Sequence, residues 1–133
     1  MVRTVSPAVR KYMSTSPVTI GPLANRAEAL ALMRTRKIHH MPVVDGGKVL
    51  GLVSDGDLAE LVPGAESKTT VRDLMRAKPF TVSPEALVED VVRDMTVHRL
   101  GSAAVVVDNG RVVGMFTATD GLRAFADYLR NPR

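Results

Sequence analysis

The chain has 133 residues, 45% of them hydrophobic and 24% charged, with a formal net charge of +4 and no cysteine. That length and apolar content suit a compact globular domain with a real core, and the missing thiols exclude disulfides and thiolate metal sites while fitting a reducing compartment. Met1 to Lys11 lack the apolar centre of a signal peptide, and no apolar run approaches the ~20 residues that cross a bilayer, so the expected location is the cytoplasm, away from any membrane.

Taken in order, the elements come twice. Val9-Arg10-Lys11-Tyr12-Met13 is echoed by Val71-Arg72-Asp73-Leu74-Met75, and Pro17-Val18-Thr19-Ile20-Gly21-Pro22 by Pro79-Phe80-Thr81-Val82-Ser83-Pro84, at a constant offset of 62 residues. After the central helix the offset is 63, because Val44-Asp45-Gly46-Gly47-Lys48 aligns with Val107-Asp108-Asn109-Gly110-Arg111. Short amphipathic turns end at Met13 and Met75, and a proline then precedes a brief β-rich run at 18–20 and 80–82. Pro22 and the start signal Ser83-Pro84-Glu85 predict helices with the apolar faces Leu23, Ala27, Leu30, Met33 and Val88, Val91, Val92, Met95. Hairpins follow, 41–45 with 49–53 around Gly46-Gly47 and 103–108 with 112–117 around Asn109-Gly110. Each repeat closes on a helix, at 57–61 and from 120 to about 130. The fold class is therefore α+β, two β-α-β-β-α repeats. The first occupies 1–62 with the N-terminal segment and the second 71–133 with the C-terminal helix, joined by a linker at 63–70. Packing them about a pseudo-twofold axis buries the faces of the Val-rich strands.

One heptapeptide stands at the same place in both copies: Gly51-Leu52-Val53-Ser54-Asp55-Gly56-Asp57 and Gly114-Met115-Phe116-Thr117-Ala118-Thr119-Asp120. A hydroxyl followed three residues later by an acid resembles the capping box that starts helices, with Ser54 and Thr117 as N-caps. That box ordinarily uses Glu or Gln at the third position. Aspartate is expected to be too short to reach back, which leaves its carboxylate to accept from another donor, such as the hydroxyl pair of a ribose. Both readings, cap and ligand, stand at this point.

Charge and histidine placement add a second signal. Residues 1–44 hold Arg3, Arg10, Lys11, Arg26, Arg34, Arg36 and Lys37 against Glu28 alone, a patch suited to a phosphate, a nucleic acid or water; its last three members also complement a helix C-terminus. His39 and His40 are adjacent, so on a strand they point to opposite faces and make a poor metal pair, and no metal site is expected. His98 has no evident nucleophile near it, and no glycine-rich phosphate loop precedes a helix, so the chain is not expected to be an enzyme.

The doubled pattern, with Ile38-His39-His40-Met41-Pro42-Val43-Val44-Asp45 before the first heptapeptide and Leu100-Gly101-Ser102-Ala103-Ala104-Val105-Val106-Val107-Asp108 before the second, resembles a tandem pair of CBS (cystathionine β-synthase type) domains over nearly the whole chain. The resemblance implies a regulatory module that binds AMP, ADP, ATP or S-adenosylmethionine in the cleft between the repeats, with no required cofactor. It places ribose hydroxyls on Asp57 and Asp120, with Ser54 and Thr117 near ribose or phosphate. One cleft would combine Thr117 and Asp120 with Thr19, Ile20, His39, His40 and Met41. The other would combine Ser54 and Asp57 with Thr81, Val82, Gly101, Ser102 and Ala103. Backbone groups would read the adenine edge, and Ile20, Met41, Val82 and Met115 would sandwich its ring. The His39-His40 pair marks the phosphate end of its cleft, and the neutral Gly101-Ser102 makes the other cleft different.

The resemblance also implies a homodimer and a regulated enzyme or transporter acted on in trans; Leu58, Leu61, Leu122, Phe125 and Leu129 give the helices more apolar surface than one short sheet covers, so the homodimer is expected to be built through them. A ligand-free dimerisation or interaction domain is the second reading, in which both heptapeptides serve only as caps. A nucleic-acid-binding module is the third; only 4% of residues are aromatic and there is no tryptophan, so stacking platforms are scarce, and Asp57 and Asp120 would repel a phosphate backbone.

Overall fold

A computed structural model describes residues 6–59 and 69–132. In chain order it contains a 3-10 turn Val9–Lys11, β1 Ser14–Thr15, α1 Arg26–Arg36, β2 His40–Asp45, β3 Lys48–Ser54, α2 Asp55–Ala59, α3 Val71–Leu74, β4 Arg76–Ala77, β5 Thr81–Val82, α4 Val88–Thr96, β6 Ala103–Asp108, β7 Arg111–Thr117 and α5 Ala118–Arg130. One sheet has the order β2-β3-β4 and the other β1-β7-β6-β5.

Where the sequence suggests a single compact domain, these elements form two compact units, and neither is a continuous stretch of chain. The first-repeat unit holds 17–79 with 110–112; the second-repeat unit holds the N-terminal segment through Ser16 with 80–109 and 113 onward. The repeat limits 1–62 and 71–133 thus mark the sequence period, whereas the packing exchanges the leading segments. Val9 N–H donates to Ala86 O at 2.8 Å and Arg10 N–H to Pro84 O at 3.0 Å; the counterparts 62 residues on, Val71 and Arg72, donate to Ala24 O at 2.8 Å and Pro22 O at 2.9 Å. The bridges Ala8↔Leu87 and Asn25↔Thr70 are the same contact with the roles of the repeats reversed. Each leading segment also adds an edge strand: Ser14 pairs with Met115 and Thr15 with Gly114, while Ala77 pairs with Gly51 and Arg76 with Leu52. This explains the first glycine of each heptapeptide. A Cβ at Gly114 would sit 2.7 Å from Ser14 O, and one at Gly51 would sit 2.7 Å from Arg76 O, distances that only a missing side chain permits.

Each unit has its own core. Val9, Tyr12, Val88, Val91, Ala104, Val106, Phe116 and Ala124 cluster in one, and Ile20, Ala29, Met33, Met41, Val43, Val53, Leu58 and Val71 in the other. The hairpins match their expected positions, and both turns carry two left-handed residues, φ 58° and 84° at Gly46-Gly47 and 52° and 78° at Asn109-Gly110, which suits the right-handed twist of the flanking strands.

The helices after the first strands begin later than the prolines suggest. Ser83 Oγ accepts from Glu85 N–H at 3.0 Å, closing a turn, and α4 starts only at Val88, whose N–H donates to Pro7 O at 2.9 Å. Ser6 Oγ of the exchanged segment accepts from Glu89 N–H at 3.0 Å, so this helix is capped from far along the chain. In the first repeat Pro22 precedes the helix and Asn25 is the cap, its Oδ1 accepting from Glu28 N–H at 2.8 Å. The expected apolar face holds in part: Met33 is buried with Ala29 and Leu30 packs against the same core, whereas Ala27 and Leu23, the latter ahead of α1, are exposed. The expected strand at 18–20, hemmed by Pro17 and Gly21-Pro22, contracts to one parallel bridge between Ile20 and Val43. Of the linker 63–70, residues 63–68 lie outside the described residues, and Thr70 is the N-cap of α3.

Candidate functional site

Each unit brings together the candidate residues of one repeat, whereas each cleft that the resemblance implies draws on both repeats. In the first-repeat unit Ile20 lies beside β2, its N–H donating to Pro42 O at 3.1 Å and its O accepting from Val44 N–H at 2.9 Å. His40 opens β2 directly opposite Ser54, the last residue of β3, and Asp55 N–H closes the junction by donating to His39 O at 3.0 Å. Thr19 and His39 are exposed, His40, Ser54 and Asp57 half-buried, and Met41 fully buried in the core. In the second-repeat unit Thr81 and Val82 pair in parallel with Val105 and Val106, and Ala118 N–H donates to Ser102 O at 3.0 Å, the counterpart of the Asp55 to His39 bond. Thr81 and Ser102 are exposed, Gly101, Val82 and Thr117 half-buried, and Ala103 and Asp120 buried.

The two aspartates correct the expectation drawn from their length. Asp57 Oδ2 accepts from Ser54 N–H at 3.0 Å while Ser54 Oγ accepts from Asp57 N–H at 3.1 Å, a complete reciprocal box. Asp120 Oδ2 accepts from Thr117 N–H at 2.9 Å and lies 3.3 Å from the Thr117 hydroxyl that donates to it. Thr70 and Asp73 repeat the contact, N–H to Oδ2 at 3.0 Å, at the start of α3. Aspartate therefore does reach back, because the N-cap backbone is extended, with φ −111° and ψ 173° at Thr117, and presents its N–H toward the first turn. Each cap is worth about 1 kcal/mol.

Capping uses only part of a carboxylate, which offers about four acceptor positions. Asp57 spends one of them among the described residues. Asp120 spends three among the described residues, because the Thr117 N–H and hydroxyl are joined by Arg123 Nη1, which donates to Oδ1 at 3.1 Å; Asp120 is 4% exposed.

The histidines stand in an acidic setting that the sequence spacing did not announce. His39 Nδ1 is 2.7 Å from Asp55 Oδ2, and this contact holds the Asp55 carboxyl below its usual range. Burial is the main force on His40 and pushes its imidazole below its ordinary 6.5, partly offset by Asp55 and Asp57. His40 thus favours the neutral form, which weakens the expected role of a cation facing phosphate. Two groups escaped the sequence reading: Asp55, visible as the acid following Ser54, and Arg123, visible as the cation three residues after Asp120 on one helix. Among the described residues no cluster of His, Cys, Asp and Glu could hold a metal ion, and no helix is long and apolar enough to cross a membrane.

The family model described as CBS domain matches residues 9–64 and again 71–127. The chain belongs to the CBS domain family. Its fold is that of the CBS pair: the structure resembles CBSX2 of Arabidopsis thaliana solved in complex with AMP, at 27% identity with a TM-score of 0.80, covering 93% of this chain and 99% of that one. It also resembles the CBS domain pair of MJ0100 solved with 5′-methylthioadenosine and S-adenosyl-L-methionine, at 29% identity with a TM-score of 0.82, covering 92% and 98%. Among curated relatives, the inosine-5′-monophosphate dehydrogenase of Korarchaeum cryptofilum is 31% identical over 103 residues, 77% of this chain and 21% of the relative. The chain spans 35%, 23% and 21% of the length of the first three curated relatives it matches, so the matched region is one part of each of those longer chains.

The half-buried His40 gives a pH signature. Its folded-state value lies below that of the unfolded chain, so the stability it contributes is complete above about pH 6.5 and is lost as pH falls through the depressed value. Melting curves between about pH 7.5 and 5.5, a window above the carboxylate range, are expected to show a falling melting temperature toward acid, with a shallower slope in His40→Gln. Equal slopes in the two proteins would contradict the assignment.

Proposed function

We propose that this CBS pair is a regulatory module that binds an adenosine-containing ligand such as AMP, ADP, ATP or S-adenosylmethionine, with Asp57 and Asp120 taking the ribose hydroxyls. The observation that carries the reading is the recurrence, in both repeats, of one aspartate held against the end of a strand by the same N–H to Oδ2 bond. Related pairs solved with AMP, or with methylthioadenosine and S-adenosylmethionine, support it. In this reading the acceptor positions left beyond the cap serve the ribose, and Ser54 and Thr117 flank it. Backbone groups of Thr19-Ile20, His39-His40-Met41, Thr81-Val82 and Gly101-Ser102-Ala103 read the adenine edge. Val82, half-buried in its unit, offers its side chain to the ring, whereas Ile20, Met41 and Met115 are buried and contribute through their backbone.

Two substitutions at each aspartate separate ligand from cap. Asn keeps an oxygen for the N-cap N–H but loses carboxylate acceptors, whereas Ala loses both. By calorimetric titration with AMP, Asp57→Asn or Asp120→Asn is expected to weaken binding by ~1 to 3 kcal/mol at nearly unchanged melting temperature; the Ala variants lose the cap as well, about 1 kcal/mol of stability. Unchanged affinity in both Asn variants, with a lower melting temperature in both Ala variants, would leave the aspartates as caps alone.

The output is proposed to pass through a homodimer to a regulated enzyme or transporter. Leu122, Phe125 and Leu129 of α5 are 68%, 55% and 61% exposed and recur at helical spacing, a face suited to association. Leu58 is fully buried and so drops out of that surface, and Leu61 lies outside the described residues. Light scattering at micromolar concentration is expected to give a dimer, and Leu122→Lys with Phe125→Lys a monomer. A monomeric parent chain would contradict the proposal.

A further inference from the structure

The repeats agree in how each aspartate caps its helix but differ in what else the carboxylate holds. Among the described residues Asp120 Oδ2 takes two donors from Thr117, and Oδ1 takes Arg123 Nη1 at 3.1 Å. One acceptor position remains where a ribose diol brings two hydroxyls. For both to bind, the ion pair or the Thr117 hydroxyl bond has to give way. The guanidinium is anchored on its other side as well: its carbon lies 6.0 Å from the centroid of the Tyr12 ring, and Tyr12 is fixed by donating its hydroxyl to Asp127 Oδ2 at 2.6 Å. In the first repeat the position equivalent to Arg123 is Glu60, of opposite charge, and Asp57 spends one acceptor position among the described residues.

We propose that Arg123 is a built-in competitor for the ribose diol at Asp120, so that it sets the affinity of this half of the module below that of the Asp57 half; the proposal rests on the adenosine reading above. The cost of binding at Asp120 includes breaking a contact between a 6% exposed carboxylate and a 61% exposed guanidinium, a pair strong enough to matter and open enough to be displaced. The two halves then fill in order as ligand concentration rises, the Asp57 half first.

The test uses adenosine, which is uncharged, so that salt acts on the protein's ion pair and not on the ligand. In an Asp57→Asn background, where the other half is weakened and the Asp120 half supplies more of the signal, Arg123→Met keeps the aliphatic stem and removes the charge. By calorimetric titration it is expected to bind adenosine roughly threefold to tenfold more tightly than its parent, with Arg123→Lys between the two. Raising NaCl from about 0.05 to about 0.5 M is expected to tighten binding to the chain that retains Arg123, a readout that does not depend on Arg123→Met folding, and to leave Arg123→Met unchanged. Equal affinity with and without Arg123 at both salt concentrations overturns the proposal and leaves the adenosine reading standing. Weaker binding by Arg123→Met overturns it by making Arg123 a ligand contact. No adenosine binding by any of the chains, the unmutated protein included, overturns both.

Discussion

A strand that hands its chain directly to a helix leaves backbone N–H groups of the first turn without partners, and in this protein one side chain settles that problem twice. The carboxylates of Asp57 and Asp120 return to the N–H of Ser54 and Thr117, and the next residue in each copy donates back to the opening of the neighbouring strand, Asp55 to His39 O and Ala118 to Ser102 O. Strand end, helix start and strand opening are thereby fixed against one another by backbone bonds of equal length in both repeats. A carboxylate held in this way is already ordered, which under the proposed function would lower the entropic cost of using its remaining acceptors.

The second constraint is the exchange of leading segments. Neither repeat completes its own unit: each lends a turn and a two-residue edge strand to the other, through matched donors at Val9 and Val71. The glycines at Gly51 and Gly114 are the cost of that close approach, and Ser6 capping α4 shows it reaching a helix terminus. The sequence repeat and the packing unit are therefore different divisions of one chain, and changes in an N-terminal residue such as Val9 act on the core of the second repeat.

Much of this was legible from residue patterns. Duplication, hairpin turns and strand-to-helix junctions follow from local chemistry, since Asn109-Gly110 and Gly46-Gly47 permit the left-handed backbone that the turns require. The exchange was not legible, because an amphipathic turn such as Val9–Lys11 carries no mark of which body it will cover. The true starts of α1 and α4 were obscured by prolines that lie in preceding turns. The aspartates stand out in the sequence by their recurrence, but their capping partners were misjudged: side-chain length alone suggested that Asp could not reach back, whereas an extended N-cap shortens the distance. The acidic neighbours of the histidines and the grip of Arg123 on Asp120 depend on side-chain directions, which spacing only permits.

The account's central claim is that one carboxylate both caps a helix and receives a ribose. The most direct measurement follows the backbone amides of Ser54 and Thr117 by nitrogen-proton NMR while AMP is added, since each amide donates to the carboxylate in question. The account expects both amide resonances, with those of Asp57 and Asp120, to shift saturably with AMP while the hydrogen-exchange protection of the Ser54 and Thr117 amides is retained, the cap persisting beside the ligand. Saturable shifts elsewhere in the chain, with these four amides unmoved, would contradict it.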